Sequence, residues 1–413
     1  MQHLSRSITA LELEDVPRQI SADAPTGPAQ PLGVRTEAAA VVASHNADEV
    51  DQQARFPFEA FEAIRTERLL GIMLPAKLGG EGASLAAIVN ICYRLGQACA
   101  STAMIYAMHQ SCVACVLRHA QDSAWQQAFL RRIASEQLLL ASSTTEGQTG
   151  GNLRSSSAPI ERSVEGIQLG RDASVISYGA YADAILATAR RSSTAAPSDQ
   201  VLVAFEKNDY NLEATVSWDT LGMRGTSSCG FHLRAAGHED QILPEAYDKI
   251  HPQTMVPVSH LTWASTWTGI AAAAVERARA FVRRSARQSN GTLPAGAAHV
   301  TKALSTLHSL CGLISSSLHA YAQHADDFRG LMSLEFQSMI NLTKVEASEM
   351  AVSIVMEAWR ACGLVGYRND SEFSIGRNLR DVLSAPIMIS NDRILANTAN
   401  SALLAAAPSM ISG

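Results

Sequence analysis

Hydrophobic and polar residues follow two different periods along this chain. From Glu37 to Gln137, apolar residues recur at helical spacing, with breaks at Phe56-Pro57 and at the glycine-rich turn that begins at Pro75. Proline and glycine at such points end helices. The pattern predicts a mostly helical N-terminal domain over residues 36–137.

Short runs typical of β-strands occupy residues 138–245. They include GIQLG, AILATAR, QVLVAFE and CGFHLRA, and Gly, Asn, Asp and Ser separate them. Runs of this length, rich in aliphatic and β-branched residues and bounded by turn residues, indicate strands. A small central β domain is therefore expected.

Long alanine-rich helical patterns return in residues 246–413. Four such stretches predict a four-helix bundle. Their small residues allow the helices to approach closely, and their apolar content exceeds what one bundle can bury. We therefore expect a symmetric homo-oligomer, either a homodimer or a homotetramer.

Composition and charge narrow the range of partners. The chain has 413 residues, enough for two or three domains, and a net charge of −6 without any block of Lys and Arg. Nucleic acid and membrane surfaces are therefore not expected as partners. Seven cysteines spread through a chain of this size favour reduced thiols over a disulfide framework, and no metal site is indicated.

Residues 1–35 differ from the rest of the chain in composition. They are rich in Pro, Ser, Gln and Ala, which predicts a disordered or loosely docked tail. Glu12, Glu14 and Asp15 lie where a secretory signal requires an uninterrupted apolar core. A cytoplasmic location is therefore expected.

Hydroxyl residues precede a glycine-rich turn in the segment from Thr144 to Asn152, TTEGQTGGN. The backbone N–H groups of such a turn are unobstructed and can face an electron-rich ligand. A hairpin turn without ligand contacts is the alternative interpretation of Gly150-Gly151. The residues by themselves leave both interpretations open.

Three further motifs follow: GRDASVISYG from Gly170, GMRGT from Gly222 and CGLVGY from Cys362, the last followed by Arg380-Asp381. Together with TTEGQTGGN they resemble the acyl-CoA dehydrogenase superfamily over about residues 40–405. The resemblance implies an α+β fold with an N-terminal helical domain, a central small β-barrel domain and a C-terminal four-helix bundle. It also implies a flavin cofactor and an acyl-thioester-type substrate.

The resemblance assigns two groups of residues to the flavin ring. The hydroxyl residues at the edge of the ring would be Ser142, Thr144 and Thr145. In the next strand, Ser174 and Ile176 fall near the places of the residues that cover the face of the flavin.

Residues of the C-terminal domain would contact the rest of the cofactor. Gly363 and Gly366 would lie by the adenosine portion of FAD, which in the family often crosses a subunit boundary. The family's R-x-x-F-G motif for the pyrophosphate is replaced by RRSARQSNG. Either Arg284, Arg287 and Gln288 substitute for it, or the cofactor is FMN.

The resemblance also implies contacts with the substrate. Gly150 and Gly151 would lie near the substrate chain, although the family's Pro, Ser and Asp are here Gly147, Gly151 and Asn152. Arg224 would position the β domain at the substrate entrance. A solvated turn arginine is the alternative interpretation of Arg224.

A dehydrogenase of this family needs a carboxylate base, because a proton leaves Cα while the flavin accepts hydride from Cβ. That base normally follows the Arg-Asp pair by about eight residues, a place held here by Ile389, next to Ser390. Both residues are then expected to face the substrate. The usual base is absent.

Two other residues are candidates for a displaced base. His260 lies at the start of the first long C-terminal helix, where some family members carry the base, and an imidazole titrates near neutrality. Asp392 follows the aligned position by three residues. Structural roles are the alternatives: a helix N-terminal residue without chemistry for His260, and a helix cap for Asp392.

The run RDVLSAPIMISNDRIL resembles the end of the family's flavin monooxygenase branch, in which reduced flavin meets O2 and a carboxylate base serves no purpose. No G-x-G-x-x-G follows a strand, so a nicotinamide site is not indicated. We therefore expect a flavoenzyme of specialised metabolism that oxidises or oxygenates a small acyl-thioester-type metabolite with O2. Two alternatives stay open: an acyl-CoA or carrier-protein α,β-dehydrogenase with a displaced base, and a catalytically silent binding subunit.

Overall fold

The computed structural model describes residues 30–120, 123–146 and 155–404, so most of the predicted tail lies outside the described residues. The N-terminal part is helical, as its periodicity predicts. Its helices are α1 (Leu32–Gln53), α2 (Phe58–Thr66), α3 (Leu85–Ala98), α4 (Ala100–His119) and α5 (Ala124–Ser135). Serine side chains cap α3 and α5 by accepting hydrogen bonds from backbone N–H groups of the first turn.

Helix α4 runs through the interior of this part. Among the described helices, it alone is long and apolar enough to cross a membrane by length and composition, but 89% of its most apolar window is buried in the protein. Several of its polar side chains have internal partners: the Gln110 amide donates to the carbonyl oxygens of Leu69 and Leu70, and the Ser111 hydroxyl donates to that of Ala107. Satisfied polar groups of this kind belong to a core helix.

Within the described residues, the central part contains seven strands: β1 (Leu140–Ser143), β2 (Glu161–Ser163), β3 (Gly166–Ile176), β4 (Ala184–Arg190), β5 (Gln200–Glu206), β6 (Tyr210–Val216) and β7 (Cys229–Gly237). They pair as two sheets with the strand orders β1-β4-β5 and β2-β3-β7-β6. Strand β1 runs parallel to β4, and the other pairs are antiparallel. Strands β1 and β3 pack together where the two sheets meet.

Helices return after the strands: α6 (Tyr247–Ile250), α7 (Val256–Gln288), α8 (Ala297–Gln323), α9 (Phe328–Leu331), α10 (Leu334–Cys362), α11 (Leu364–Tyr367), α12 (Gly376–Val382) and α13 (Asn391–Leu404). A single π-helical turn, His251–Met255, leads into α7. Helices α7, α8 and α10 pack on one another, and α13 packs on α10. The predicted α+β class, with strands between two helical parts, is confirmed.

Helix α7 connects the two helical parts because it also packs on α3 and α4. The crossing with α3 is closest at two glycines. A Cβ at Gly96 would meet the backbone of Thr266 and Gly269, and a Cβ at Gly269 would meet the backbone of Tyr93. The small residues of the alanine-rich helices therefore serve close approach within one chain. The same crossing brings the start of α7 against α4 and β1, where the cavity described next lies.

Candidate active site

A cavity of 580 Å³ lies where the β domain meets both helical parts. Its wall comes from the end of β1, the end of β3, the turn before β7, helix α4, the start of α7, and the turn that precedes α13. Six of the residues that the sequence singles out line it: Ser142, Thr144, Thr145, His260, Ile389 and Ser390. Ser142 and Ser390 lie 248 positions apart in the sequence, and tertiary packing places both in the wall of this cavity.

The hydroxyl segment after β1 is held by a buried arginine that sequence reasoning did not single out. Arg171 on β3 donates hydrogen bonds to the carbonyl oxygens of Ser143 and Thr145, each at 2.9 Å. Its side chain is 1% exposed and lies 3.5 Å from Glu146. Burial lowers the pKa of Arg171, and Glu146 opposes that shift. The clamp fixes the backbone that presents Thr144 and Thr145 to the cavity.

Three linked hydroxyls on the β-domain side also line the cavity: Ser177, Thr226 and Ser228. Thr226 donates to the carbonyl oxygen of Met223 at 2.9 Å, and Ser228 donates to Ser177 at 2.8 Å. The Thr226 and Ser228 oxygens lie 2.8 Å apart. Because a hydroxyl has one proton to donate and can rotate, this group offers both donors and acceptors to a ligand in the cavity.

His260 lies in the cavity wall, but its environment differs from the one expected of a proton carrier. Its ring is buried, with Nδ1 3.4 Å from the carbonyl oxygen of Ile340. Burial and, after it, the nearby Lys344 ammonium lower the pKa of His260 to about 3. The expectation that this imidazole titrates near neutrality is therefore wrong: the ring is neutral at pH 7 and is a weak base.

No Asp or Glu lines the cavity among the residues that the structure describes. The two buried carboxylates nearest in sequence to its wall are committed elsewhere. Glu146 accepts hydrogen bonds from the hydroxyls of Ser156 and Ser157 and from the Ser157 backbone N–H. Asp381 accepts from the backbone N–H of Met223 at 2.7 Å. The described wall therefore has no carboxylate that can act as a base.

The place of the family's base is a strained turn. Ile389 and Ser390 have φ values of 58° and 41°, in the left-handed region. A β-branched residue rarely adopts such a φ, and the cost is of the order of 1–3 kcal/mol. The turn is closed by the Ser390 N–H, which donates to the Ile387 carbonyl oxygen, and by the Asn391 N–H, which donates to that of Pro386, both at 2.9 Å.

The predicted flavin-face residues on β3 are shifted by one position. Ser174 is exposed and Ile176 is fully buried in the core, and neither lines the cavity. Their neighbours Val175 and Ser177 do. The reason is a register shift between Ala173 and Ile176 opposite β7, since a bulge changes which face successive side chains occupy.

Two further predictions differ from the structure. Asp392 is exposed in the first turn of α13 and does not line the cavity, so it is not a displaced base in this conformation. Its neighbour Ser390 supplies a capping contact instead, from the Arg393 N–H at 3.4 Å. Arg224 also lies off the cavity and joins the β domain to α1, donating to the Asp51 carbonyl oxygen at 2.8 Å.

The residues predicted for the distal part of FAD lie at the opposite end of the bundle. The helical rise places Arg284 about 36 Å from His260 along α7. Arg284 pairs with Glu372, and Arg287 and Gln288 are exposed. Gly363 is exposed with a φ of 56°, whereas Gly366 is buried against Ile375 and Cys362. Within one chain, none of these residues reaches the cavity. Gly150 and Gly151 lie outside the described residues.

Sequence reasoning missed most of the apolar wall. Five methionines from distant parts of the chain line the cavity: Met104, Met108, Met223, Met255 and Met388. Three aromatic residues join them: Trp218, Tyr247 and Trp263. Met223 and Met388 lie within motifs that were noted for other residues, and no motif marks the rest, because an apolar residue predicts burial and does not distinguish a core from a cavity wall.

The cavity fits the ring of a flavin. It combines an apolar, sulfur- and aromatic-lined wall with hydroxyl groups, which suits a fused aromatic ring with a polar rim. The Tyr247 hydroxyl and the Trp263 indole N–H are buried and have no hydrogen-bond partner among the described atoms. Buried polar groups of this kind call for a partner from a bound group or from water.

Comparison with known proteins agrees with this fold. Residues 33–137 match the acyl-CoA dehydrogenase N-terminal domain, and residues 253–404 match the acyl-CoA dehydrogenase C-terminal domain. A relative described as probable acyl-CoA dehydrogenase YngJ, from Bacillus subtilis (strain 168), is 24% identical over 348 residues, which cover 82% of this chain and 88% of the relative.

Two solved structures are similar over nearly their whole length. FMN-bound TdsC from Paenibacillus sp. A11-2 has a TM-score of 0.80 at 18% identity, covering 92% of this chain and 98% of TdsC. Butyryl-CoA dehydrogenase from Megasphaera elsdenii has a TM-score of 0.75 at 17% identity, covering 91% and 98%. At these identities the likeness shows the fold alone.

The helical, β and helical parts around one cavity define a protein of the acyl-CoA dehydrogenase fold, whose members are flavin-dependent oxidoreductases. The chain belongs to the acyl-CoA dehydrogenase family.

Proposed function

We propose that this protein is a flavin-dependent monooxygenase or oxidase that uses O2 and acts on a small acyl-thioester-type metabolite. The observation that carries the proposal is the described cavity wall, which has no carboxylate and includes Ile389, the residue that the resemblance puts at the position of a dehydrogenase's base. Without a carboxylate in the wall, the Cα proton that a dehydrogenase removes has no acceptor of the usual kind. A reaction that does not begin with that step suits this wall better.

Ser142, Thr144 and Thr145 would hold the polar edge of the flavin ring, with FAD or FMN as the cofactor. When bound and reduced, the flavin supplies the two electrons that O2 accepts. The chain's own residues provide the environment. The methionine and tryptophan walls exclude water, neutral His260 offers one donor and one acceptor, and the hydroxyls of Ser177, Thr226 and Ser228 offer further donors and acceptors next to the reacting space.

An acyl-thioester substrate is supported by the names of relatives and not by a charged motif. Arg393 at the start of α13 is the only Lys or Arg among the described lining residues, and Asn341 and Asn397 lie on the same wall. One guanidinium suits a single anionic group on a ligand. Hydrogen-bonding side chains on the same wall suit the amides of a pantetheine-like arm.

A dehydrogenase is the second candidate, and it is favoured by the relative described as a probable acyl-CoA dehydrogenase. Asp392 does not support it, because its side chain lies outside the cavity. Two histidines line the described wall, His251 and His260, and the pKa of His260 is held at about 3 by burial and by Lys344. A base that weak would remove a Cα proton slowly.

The test uses the full chain loaded separately with FMN and with FAD. The loaded protein is first mixed anaerobically with butyryl-CoA, and bleaching of the flavin band is recorded. It is then reduced chemically and mixed with air-saturated buffer, and the return of the band and the release of hydrogen peroxide are followed. His260→Gln is the matched variant, since it keeps a polar side chain but removes the imidazole.

The proposal expects reoxidation by O2 within seconds, in the variant as well as in the native chain. If butyryl-CoA bleaches the flavin band of the native chain but not that of His260→Gln, and if O2 reoxidises the flavin slowly, the dehydrogenase would be established. A chain that retains neither flavin would be the silent binding subunit.

A homodimer or homotetramer is part of this proposal. Arg284 and Gly366 lie too far from the cavity to touch a cofactor bound in the same chain, so their predicted role requires a second subunit. Large apolar side chains are exposed around them, including Leu364 at 72% and Tyr367 at 69%. Light scattering at micromolar concentration tests this directly, and a monomer would remove these residues from the cofactor site.

A further inference from the structure

One lysine inside the bundle holds both ends of the strained turn that lines the cavity. Lys344 on α10 is fully buried, at 0% exposure. Its Nζ donates to the side-chain Oδ1 of Asn391 at 2.7 Å and to the carbonyl oxygen of Ala385 at 3.1 Å. These two partners begin and end the segment 385–391. A single ammonium group therefore spans the base of the turn.

The acceptor at the far end of the turn is itself fixed. Asn391 uses its amide N–H groups to donate to the Ser348 hydroxyl at 2.9 Å and to a Glu349 carboxylate oxygen at 2.7 Å. Because Oδ1 accepts from Lys344 and Nδ2 donates to Ser348 and Glu349, the side-chain amide of Asn391 has one orientation. Three residues within one and a half turns of α10 thus hold the first residue of α13 by hydrogen bonds: Lys344, Ser348 and Glu349.

The turn needs these hydrogen bonds at its ends because its backbone is strained. Ile389 and Ser390 both have positive φ, and strained residues persist only where the surrounding structure over-determines them. Both side chains line the cavity. If the ends of the turn were free, Ile389 would relax to negative φ and its side chain would leave the wall.

Simple packing does not account for Lys344. Burying an ammonium is costly unless it is fully hydrogen-bonded, and a leucine would fill the same interior at lower cost. The groups around Nζ are the Trp267 ring, 5.4 Å away, together with His260 and Glu349. Lys344 does not line the cavity, so it does not touch a ligand there.

We propose that Lys344 is a positioning residue that holds the 385–391 turn in its strained conformation and so places Ile389 and Ser390 in the cavity wall. The proposal rests on the proposed function only in taking this cavity for the active site. It concerns the shape of the wall and not the reaction.

The test compares Lys344→Met, which keeps the length of the side chain without the donor, with Lys344→Gln, which keeps an N–H donor. Amide hydrogen exchange of residues 385–391 is measured in each variant. Exchange in Lys344→Met is expected to be roughly tenfold faster or more, in this segment and not in β4 or β5, because hydrogen bonds to a charged donor are lost. Lys344→Gln is expected to retain part of the protection.

Removal of the strain supplies the decisive control. Glycine adopts positive φ freely, so Ile389→Gly introduced into Lys344→Met should restore exchange to within roughly threefold of the native chain. Ile387→Gly is the matched control, because Ile387 lies in the same turn with a negative φ and a side chain that is 76% exposed. It should give no rescue.

Equal exchange in Lys344→Met and the native chain, or equal rescue by the two glycines, would overturn the proposal. If Lys344→Met does not fold, Asn391→Leu removes the shared acceptor and should show the same selective rescue by Ile389→Gly. The hydrogen-exchange measurements use the chain without added flavin or substrate, so their outcome does not depend on the outcome of the O2 experiment. A further measurement uses flavin-loaded protein. If Lys344→Met shifts the flavin absorption band and only Ile389→Gly reverses that shift, the turn is linked to the cofactor site.

Discussion

The carboxylate of Asp381 accepts a hydrogen bond from the backbone N–H of Met223 at 2.7 Å, joining α12 to the turn that carries Met223 and Thr226 into the cavity wall. Asp381 is buried, and the neighbouring Arg380 pairs with Asp51 at the end of α1. Arg224 donates to the carbonyl oxygen of that same Asp51. The Arg380-Asp381 pair therefore fixes the β-domain side of the cavity.

Asp381→Ala is expected to destabilise the protein by about 1–3 kcal/mol, because it leaves the buried Met223 N–H without an acceptor. Asp381→Asn keeps a carbonyl oxygen at that place and should cost less. Urea unfolding measures both. Equal losses in the two variants would show that the charge, and not the hydrogen bond, is what matters.

Gly222→Ala is expected to destabilise the same contact through sterics. A Cβ at Gly222 would overlap the backbone of Arg380 and Asp381, and backbone cannot move aside as a side chain can. We expect a loss of about 1–3 kcal/mol or more and a lower melting temperature. Gly170→Ala, at an exposed position of β3 with open space around it, is the control and should be neutral or slightly stabilising.

Stability should fall in mild acid because of buried neutral histidines. Burial lowers the pKa of His260 to about 3 and that of His109 to about 4. Between these values and the ordinary 6.5, the unfolded chain binds more protons than the folded one, so stability decreases as the pH falls through that window. Each histidine contributes up to about 1.4 kcal/mol per pH unit.

His260→Gln removes one of these contributions, so its stability relative to the native chain should improve as the pH falls from 6.5 to 4. His109→Gln should behave in the same direction. Urea midpoints at four pH values give the slope. Asp381 acts oppositely, since burial raises its pKa to about 6 and stability linked to it is lost as the pH rises from 3.8 to 6. A pH-independent difference between His260→Gln and the native chain would contradict the assigned burial effect.

Thr145→Val should weaken flavin retention roughly three- to tenfold, the cost of one hydrogen bond. The backbone at Thr145 should not move, because Arg171 holds its carbonyl oxygen. The dissociation constant of FMN and of FAD, measured by flavin fluorescence, checks this. Thr215→Val, at an exposed site on β6, is the control. Equal retention in the two variants would remove Thr145 from the cofactor site.

The sequence predicted the helical, β and helical order because the two periods, about 3.6 and 2, reflect local geometry that each segment carries by itself. The family resemblance assigned Ser142, Thr144 and Thr145 to the polar edge of the flavin, and all three line the cavity. Ser174 and Ile176 were assigned from the resemblance alone, and they do not line the cavity. Which side chains of β3 do so depends on a bulge opposite β7, which arises from pairing with a strand more than 50 residues away.

The charge states and the cavity wall also depended on contacts that no local pattern contains. An imidazole has an ordinary pKa near neutrality, and only burial beside Lys344 makes His260 neutral over the whole physiological range. The five methionines of the wall come from α4, the turn before β7, the π-helical turn and the segment before α13. Nothing in the local sequence of any one of them shows that the five share a wall.

What the sequence alone determined is the class of fold and the absence of a carboxylate at the position of Ile389, since residue identity and periodicity are properties of the chain. What only the tertiary structure decided is which side chains share one space: His260 with Ser142, Arg171 beneath Thr145, and Lys344 behind the turn of Ile389. The physical reason is that burial, strain and electrostatic neighbours are set by packing between segments far apart in sequence, and these determine what an identical residue can do.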